Sequence, residues 1–296
     1  MNAPENVMPV ERSGHVFDRR DGRLGGILVA EGKLQAKDIE RVMEMQRTSG
    51  LRFGEAALRL GLITAEDLRG AVARQYDLPH LLPGNESISS ELVVAYEPFH
   101  PRAEEMRALR TQLLIRWSNA GLKQRVLAVV SPGSGEGRSY VAANLAVVFS
   151  QLGERTLLID ADMRTPRQHR IFNVPDRVGL SAVLAGRADR SAVVPVSEFG
   201  SLSLLPAGAR PPNPQELLSR HALPALLDEL KSDFEVILFD TPPARLYADA
   251  QSVAFRAGNV IVLARKDRTR VADTTGVIRE LGDTGARIVG TVFTTF

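Results

Sequence analysis

Ser131-Pro132-Gly133-Ser134-Gly135-Glu136-Gly137-Arg138-Ser139 follows the apolar run 126–130 and precedes Tyr140-Val141-Ala142-Ala143-Asn144-Leu145-Ala146. A short apolar run, a glycine-rich turn and then a helical pattern form a strand-to-helix junction. Gly133, Gly135 and Gly137 let the backbone wrap closely, so that its N–H groups converge on an anion at the positive end of the helix. The position after Gly137 normally carries a lysine that reaches the β- and γ-phosphates, and the next a Ser or Thr on Mg2+. Ser139 fits the second role. Arg138 stands in the first, where its planar guanidinium is no simple substitute for a point charge. It can nevertheless hold phosphate oxygens, in pairs if the geometry allows. Pro132 occupies the place of the first glycine of the usual pattern. The candidate phosphate site is therefore Gly133, Ser134, Gly135, Glu136, Gly137, Arg138, Ser139 and Tyr140. The alternative is a glycine-rich turn with no ligand.

Two further strand ends carry acids. LLIDADMR ends a second apolar run with Asp160 and Asp162, and VILFDTPP ends a later one with Asp240. Carboxylates beside a phosphate loop can hold Mg2+ directly or through water, and one can accept a proton from an attacking hydroxyl. Each aspartate taken singly also fits a helix N-cap.

Outward from these motifs, apolar runs recur at 126–130, 156–159, 202–205, 236–239, 260–264 and 288–292, with helical patterns between most of them. A helix is expected over about 103–121, with Trp117 on its apolar side. Buried strands alternating with helices predict an α/β fold: a P-loop NTPase with a mostly parallel sheet covered by helices on both faces. Ligands then lie at the carboxyl ends of the strands.

The chain has 296 residues, 44% hydrophobic and 24% charged, which is ordinary globular usage and enough for two domains at about 150 residues each. The 37 basic and 35 acidic residues nearly cancel, which argues against nucleic acid as a partner. The absence of cysteine excludes disulfides, thiolate nucleophiles and Cys-ligated zinc, and the five histidines have no metal-ligand spacing. No apolar run approaches the roughly 18 residues of a membrane span, and no secretory h-region is present. A cytoplasmic chain with no direct membrane span is the expectation.

The front of the chain repeats itself. RLGGILVAEGKLQAKDIERVMEMQ from Arg23 and RFGEAALRLGLITAEDLRGAVARQ from Arg52 align at a constant offset of 29. Each copy reads as a short helix ended by a glycine (Gly32, Gly61) and then an amphipathic helix. Thr64 suits the N-cap of the last of these. The expected organisation is a flexible tail over 1–22, a small mainly helical domain over 23–83, a linker over 84–102 and an ATP-binding domain over 103–296.

At these motifs the chain resembles the bacterial P-loop tyrosine kinases, relatives of the MinD/ParA ATPases. The resemblance is nearest to the chain-length-determinant tyrosine kinases of exopolysaccharide operons (EpsG-type). It rests on GEGRS, LLIDADMR, VILFDTPP, the segment Pro211-Pro212-Asn213-Pro214-Gln215-Glu216-Leu217-Leu218, and Glu104-x-x-Arg107-x-x-Arg110. It implies ATP and Mg2+, with Ser139, Asp162 and Asp240 serving the metal. Arg138 would stand in place of the lysine, and Asp160 would orient or deprotonate the acceptor tyrosine. It also implies a homo-oligomer contacted through Glu104, Arg107 and Arg110, and a membrane polysaccharide co-polymerase as adaptor that brings the protein to the inner face of the inner membrane. Relatives end in a tyrosine-rich tail. Here the tyrosines are Tyr76, Tyr96, Tyr140 and Tyr247, with none after Tyr247. A catalytically weak nucleotide-binding assembly switch is the alternative. A MinD/ParA-type ATPase fits less well, since its early signature lysine is replaced by Pro132 or Gly133.

The repeated unit resembles the MshE N-terminal (MshEN) domain of type II secretion and pilus ATPases, some of which bind cyclic di-GMP. The matching positions are Arg23, Leu24, Gly25, Arg52, Phe53 and Gly54. Lys33, Phe53 and Ala57 depart from that pattern. A docking domain with no ligand is the alternative.

Overall fold

The computed structural model describes residues 21–75, 81, 87–121 and 125–295. The chain divides into two compact units, Met1–Leu78 and Pro79–Phe296. Most of the tail expected over 1–22 and the Pro83-Gly84 boundary lie outside the described residues.

The first unit is helical: α1 (Asp21–Ala30), α2 (Ile39–Ser49), α3 (Phe53–Arg59) and α4 (Ala65–Gln75). Gly32, Gly50 and Gly61 take the left-handed conformation that ends a helix without steric cost. Thr64 and Asp67 close a reciprocal cap. The Thr64 hydroxyl accepts from Asp67 N at 3.1 Å, and an Asp67 carboxylate oxygen accepts from Thr64 N at 2.9 Å. The apolar faces gather Leu24, Leu28, Leu34, Val42, Phe53, Ala56, Ala57, Ile63 and Ala71 into one small core. The helices pair across the two repeats, α1 against α4 and α2 against α3.

In the second unit, α5 (Val93–Tyr96) and α6 (Pro101–Asn119) lead into β1 (Arg125–Val130), α7 (Arg138–Ser150) and β2 (Thr156–Asp160). Next come α8 (Gln168–Ile171), α9 (Leu180–Leu184), β3 (Val194–Pro195), β4 (Leu202–Leu205), α10 (Pro214–Ser219), α11 (Ala222–Asp233) and β5 (Val236–Asp240). The chain finishes with α12 (Asp249–Ala257), β6 (Asn259–Arg265), α13 (Val271–Asp283) and β7 (Arg287–Thr294). The strands form one sheet in the order β3-β4-β2-β5-β1-β6-β7, parallel throughout except for the β3–β4 pair. Separate apolar cores lie on its two faces, one built with α6 and α7, the other with α10, α11 and α12. Helix α7 is apolar nearly all round and is buried along most of its length, as a helix held between a sheet and other helices must be. Trp117 is buried against Phe149, with ring centroids 5.7 Å apart.

The stretch expected as a linker is packed where it is described. Leu92, Val94 and Ala95 are fully buried on the α7 face, and Asn144 of α7 donates to Glu91 O at 3.0 Å. Ser90 and Glu97 are exposed while Ile88, Leu92, Val94 and Ala95 are buried, so a composition rich in Ser, Glu and Pro that reads as a linker covers a packed segment.

Candidate functional site

Strand β1 runs into the phosphate loop, whose last residue, Gly137, takes φ 95° before α7 begins at Arg138. Gly135 is also left-handed, at φ 71°. Only glycine enters that region freely, so these two residues allow the loop to turn its N–H groups inward. A Cβ at Gly133 would lie 3.0 Å from Glu136 Oε1, so there too the loop has no room for a side chain.

Arg138 turns inward. Its Nε donates to Thr241 O at 2.7 Å, and its Nη1 donates to Ser131 Oγ and to Gly133 O. It is 8% exposed. Burial pushes the guanidinium below its usual pKa, while nearby Asp240, Asp162 and Glu136 pull the other way. The side chain braces the loop against the end of β5.

The acids meet because of sheet register. In the β2–β5 pair Asp160 stands opposite Asp240, at the carboxyl ends of adjacent parallel strands. Both are fully buried. Burial, first, and then the charge of Asp240 push Asp160 well above the usual carboxylate range. Burial pushes Asp240 up to about 6, against hydrogen bonds from Gln168 and Ser139 and the charge of Arg138. Gln168 joins the elements: its Nε2 donates to Asp240 Oδ2 at 2.8 Å and to Ser139 O at 3.1 Å, and its backbone N donates to Asp160 Oδ2 at 3.0 Å. Nothing in the sequence pattern singled out Gln168, because its partners are 29 and 72 residues away.

Asp160 and Asp162 are both bonded within the loop that follows β2. Asp160 Oδ1 accepts from Asp162 N, and Oδ2 accepts from Arg167 N and Gln168 N. Asp160 has no exposed surface, and these bonds hold the loop after β2 in shape. Asp162 Oδ1 accepts from Arg164 N and Thr165 N, and Oδ2 accepts from the Thr165 hydroxyl at 2.9 Å. The carboxylate is thus engaged in its own turn. Among the described residues no group of three or more His, Asp or Glu side chains is arranged as a ready metal cage. A Mg2+ ion needs few protein ligands when phosphates and waters complete its shell. Asp240 Oδ1, buried and without a hydrogen bond, fits such a ligand, with Ser139 beside the same carboxylate.

Arg164 continues the loop. It grips the fully buried Asp249 bidentately, at 2.8 and 3.0 Å, and its guanidinium lies 3.9 Å from the centre of the Tyr247 ring. Arg167 pairs with Glu91 at 2.7 Å. On α6, Arg107 bonds Glu104 and Pro98 O, and Arg110 donates to Val148 O at 2.7 Å. The guanidiniums expected to reach a neighbouring subunit are thus engaged on their own chain, while Glu104 remains exposed.

A family model described as an AAA domain matches residues 124–270. The tyrosine-protein kinase YwqD of Bacillus subtilis is 32% identical over 68% of this chain and 84% of its own length. The chain belongs to the bacterial P-loop tyrosine-protein kinase family. The kinase Wzc of Salmonella typhimurium is likewise 32% identical, over 69% of this chain, but the chain spans only 28% of Wzc. Among solved structures, the chimerical protein CapA2B2 matches 76% of this chain and 97% of its own, with a TM-score of 0.65 and 32% identity. The MinD protein of Pyrococcus horikoshii in complex with Mg-ADP covers 57% of the chain and 70% of its own, with a TM-score of 0.51 and 27% identity.

The PPNPQELL segment of this kinase-family chain opens α10, where Pro214 fits the first turn and Leu217 and Leu218 enter the core. In the helical unit, glycines matched to the MshEN pattern have packing roles. A Cβ at Gly25 would lie 3.0 Å from the Phe53 ring, and one at Gly54 would lie 2.4 Å from Leu68 Cδ1. Leu24 and Phe53 belong to the core.

Proposed function

We propose that the chain, like the relatives named tyrosine-protein kinases, is a tyrosine kinase that transfers the γ-phosphoryl group of Mg-ATP to tyrosine hydroxyls. One observation carries this reading: the phosphate loop, the helix-start Ser139 and two strand-end aspartates are joined through Gln168 at the carboxyl edge of the sheet. Bound Mg-ATP supplies the group transferred. The loop N–H groups of residues 135–139 hold phosphate oxygens, and Ser139 and Asp240 hold the metal. Asp160 and Gln168 fix the loop that carries Asp162 at the site. Phosphoryl transfer depends mainly on positioning and charge, so a fully buried Asp160 is compatible with turnover.

The acceptor is a partner's tyrosine or an internal one. Tyr247 is exposed and beside Arg164, whereas Tyr96 and Tyr140 are half-buried. The wider role proposed is control of exopolysaccharide polymerisation and chain length with a membrane co-polymerase, within an oligomer that uses the exposed Glu104. Among the described residues no helix is long and apolar enough to cross a membrane.

The inward turn of Arg138 supports a second reading, a nucleotide-binding assembly switch with little turnover. Incubation with labelled ATP and the co-polymerase, followed by a phosphotyrosine blot, separates the two. Signal from wild type, lost in Asp240→Asn, supports the kinase. Its absence from wild type and Arg138→Lys alike, with ATP still bound, supports the switch. For the helical unit, the packing of Gly25 and Gly54 favours a docking module over a cyclic di-GMP receptor. Calorimetric titration with cyclic di-GMP, of wild type and an Arg23→Ala/Arg52→Ala pair, decides between them.

A further inference from the structure

The charge that a triphosphate needs is missing from its usual place. Arg138 spends its Nε and Nη1 on Thr241 O, Ser131 Oγ and Gly133 O, and its charge faces Asp240, Asp162 and Glu136. A second guanidinium stands at the loop instead. After β6 the chain makes a tight turn, 265–269, in which Asp267 takes φ 59°, a left-handed value uncommon for a residue other than glycine. Strain of that kind persists where surrounding contacts hold it. Here the contacts are specific. Thr269 Oγ1 donates to Glu136 Oε1 at 2.5 Å and accepts from Arg265 N at 2.8 Å. Arg265 Nη1 donates to Gly135 O at 2.8 Å. Glu136, 4% exposed, also accepts from Gly133 N at 2.7 Å, and its own carbonyl accepts from Thr294 Oγ1 at 3.0 Å.

This turn lays Arg268 against the phosphate loop. A Cβ at Gly135 would lie 3.3 Å from Arg268 Nη1 and 3.4 Å from Cζ and Nη2. Arg268 is exposed, and among the described residues no carboxylate forms a salt bridge with it. We propose that Arg268 is the phosphate-binding cation of this site, taking over the charge that Arg138 has committed to the loop's own carbonyls. Thr269 and Glu136 are positioning residues that hold it there. A guanidinium suits this place because its fork of donors bonds two phosphate oxygens at once.

The inference rests on the nucleotide-binding reading above, and its test separates the two. Full-length protein is titrated with Mg-ATP, with inorganic triphosphate and with adenosine, for wild type, Arg268→Gln and Arg268→Lys, and each is melted without ligand. Arg268→Gln is expected to weaken both phosphate ligands by roughly 10- to 100-fold, the usual range for a charged hydrogen bond. Arg268→Lys should recover part of the loss. Adenosine binding and the ligand-free melting temperature should not change. Equal binding of Mg-ATP by wild type and Arg268→Gln overturns the proposal. So does a parallel loss for adenosine, or a fall in melting temperature that accounts for the loss, since either marks Arg268 as merely structural. Triphosphate binding that depends on Arg268 in a wild-type protein that ignores Mg-ATP would uphold the anion site and sink the kinase reading. Failure of wild type to bind either ligand overturns both.

Discussion

Asp240 has an ordinary carboxyl group in an extraordinary place. Its pKa of about 6 in the folded protein lies above the roughly 3.9 of an unfolded chain. Between those values the folded state holds the extra proton, so stability falls as pH rises from about 4 through about 6 and stays lower above that. Asp240→Asn removes the titration and keeps an acceptor for Gln168. It should stabilise the protein at pH 7.5 by on the order of 2 kcal/mol and give no gain near pH 4, read from melting curves at the two pH values. Magnesium should act in the opposite sense. It favours the ionised carboxylate, so the melting-temperature rise on adding Mg2+ with ADP, reversed by EDTA, should be larger at pH 8 than at pH 5.5. An equal rise at both pH values would place the metal away from Asp240.

At the scale of elements, two contacts fix the loops around the site. The Arg164–Asp249 pair ties the turn after β2 to the first turn of α12, and Asp249 is fully buried. Arg164→Met strands that carboxylate and should cost about 3 kcal/mol in urea unfolding, with phosphotransfer falling alongside. Gly179 meets the chain leaving β4. A Cβ there would lie 2.1 Å from Pro206 O and 2.6 Å from Gly208 N. Both neighbours are backbone and cannot swing aside, so Gly179→Ala should lose folded yield outright in a soluble-expression assay. These contacts also show where sequence reading runs out. The parallel strands were legible because each is a short apolar run bounded by turn residues, and the acids because they close such runs. The two-residue β3 was not, since Val194-Pro195 has no length over which a pattern could emerge. The hydrogen bonds from Arg138 to Thr241 and from Thr269 to Glu136 bridge 103 and 133 residues, so no local spacing announces them. The cradle could be read, but not the direction in which its arginine points.

For the whole molecule, the phosphate loop, the strand-end acids, Gln168 and the 265–269 turn all belong to the unit Pro79–Phe296. A chain beginning at residue 79 should therefore bind Mg-ATP within about twofold of the full-length affinity by calorimetry, since it keeps every binding group. A much larger loss would assign the helical unit a direct part in the site.

The helical unit is interlocked across its two repeats. Because α1 rests chiefly on α4 and α2 on α3, much of the apolar stripe of each copy of the duplicated segment is covered by the other copy. Lys33 reaches Asp67 and Arg74 reaches Glu31, so these two ion pairs also cross between copies. A peptide carrying one copy would leave much of the face around Leu28 or Phe53 open, and pairing with a second molecule would cover it. The two copies complete one another within a single polypeptide, and excising either half should leave a segment with an uncovered apolar face that must find a mate.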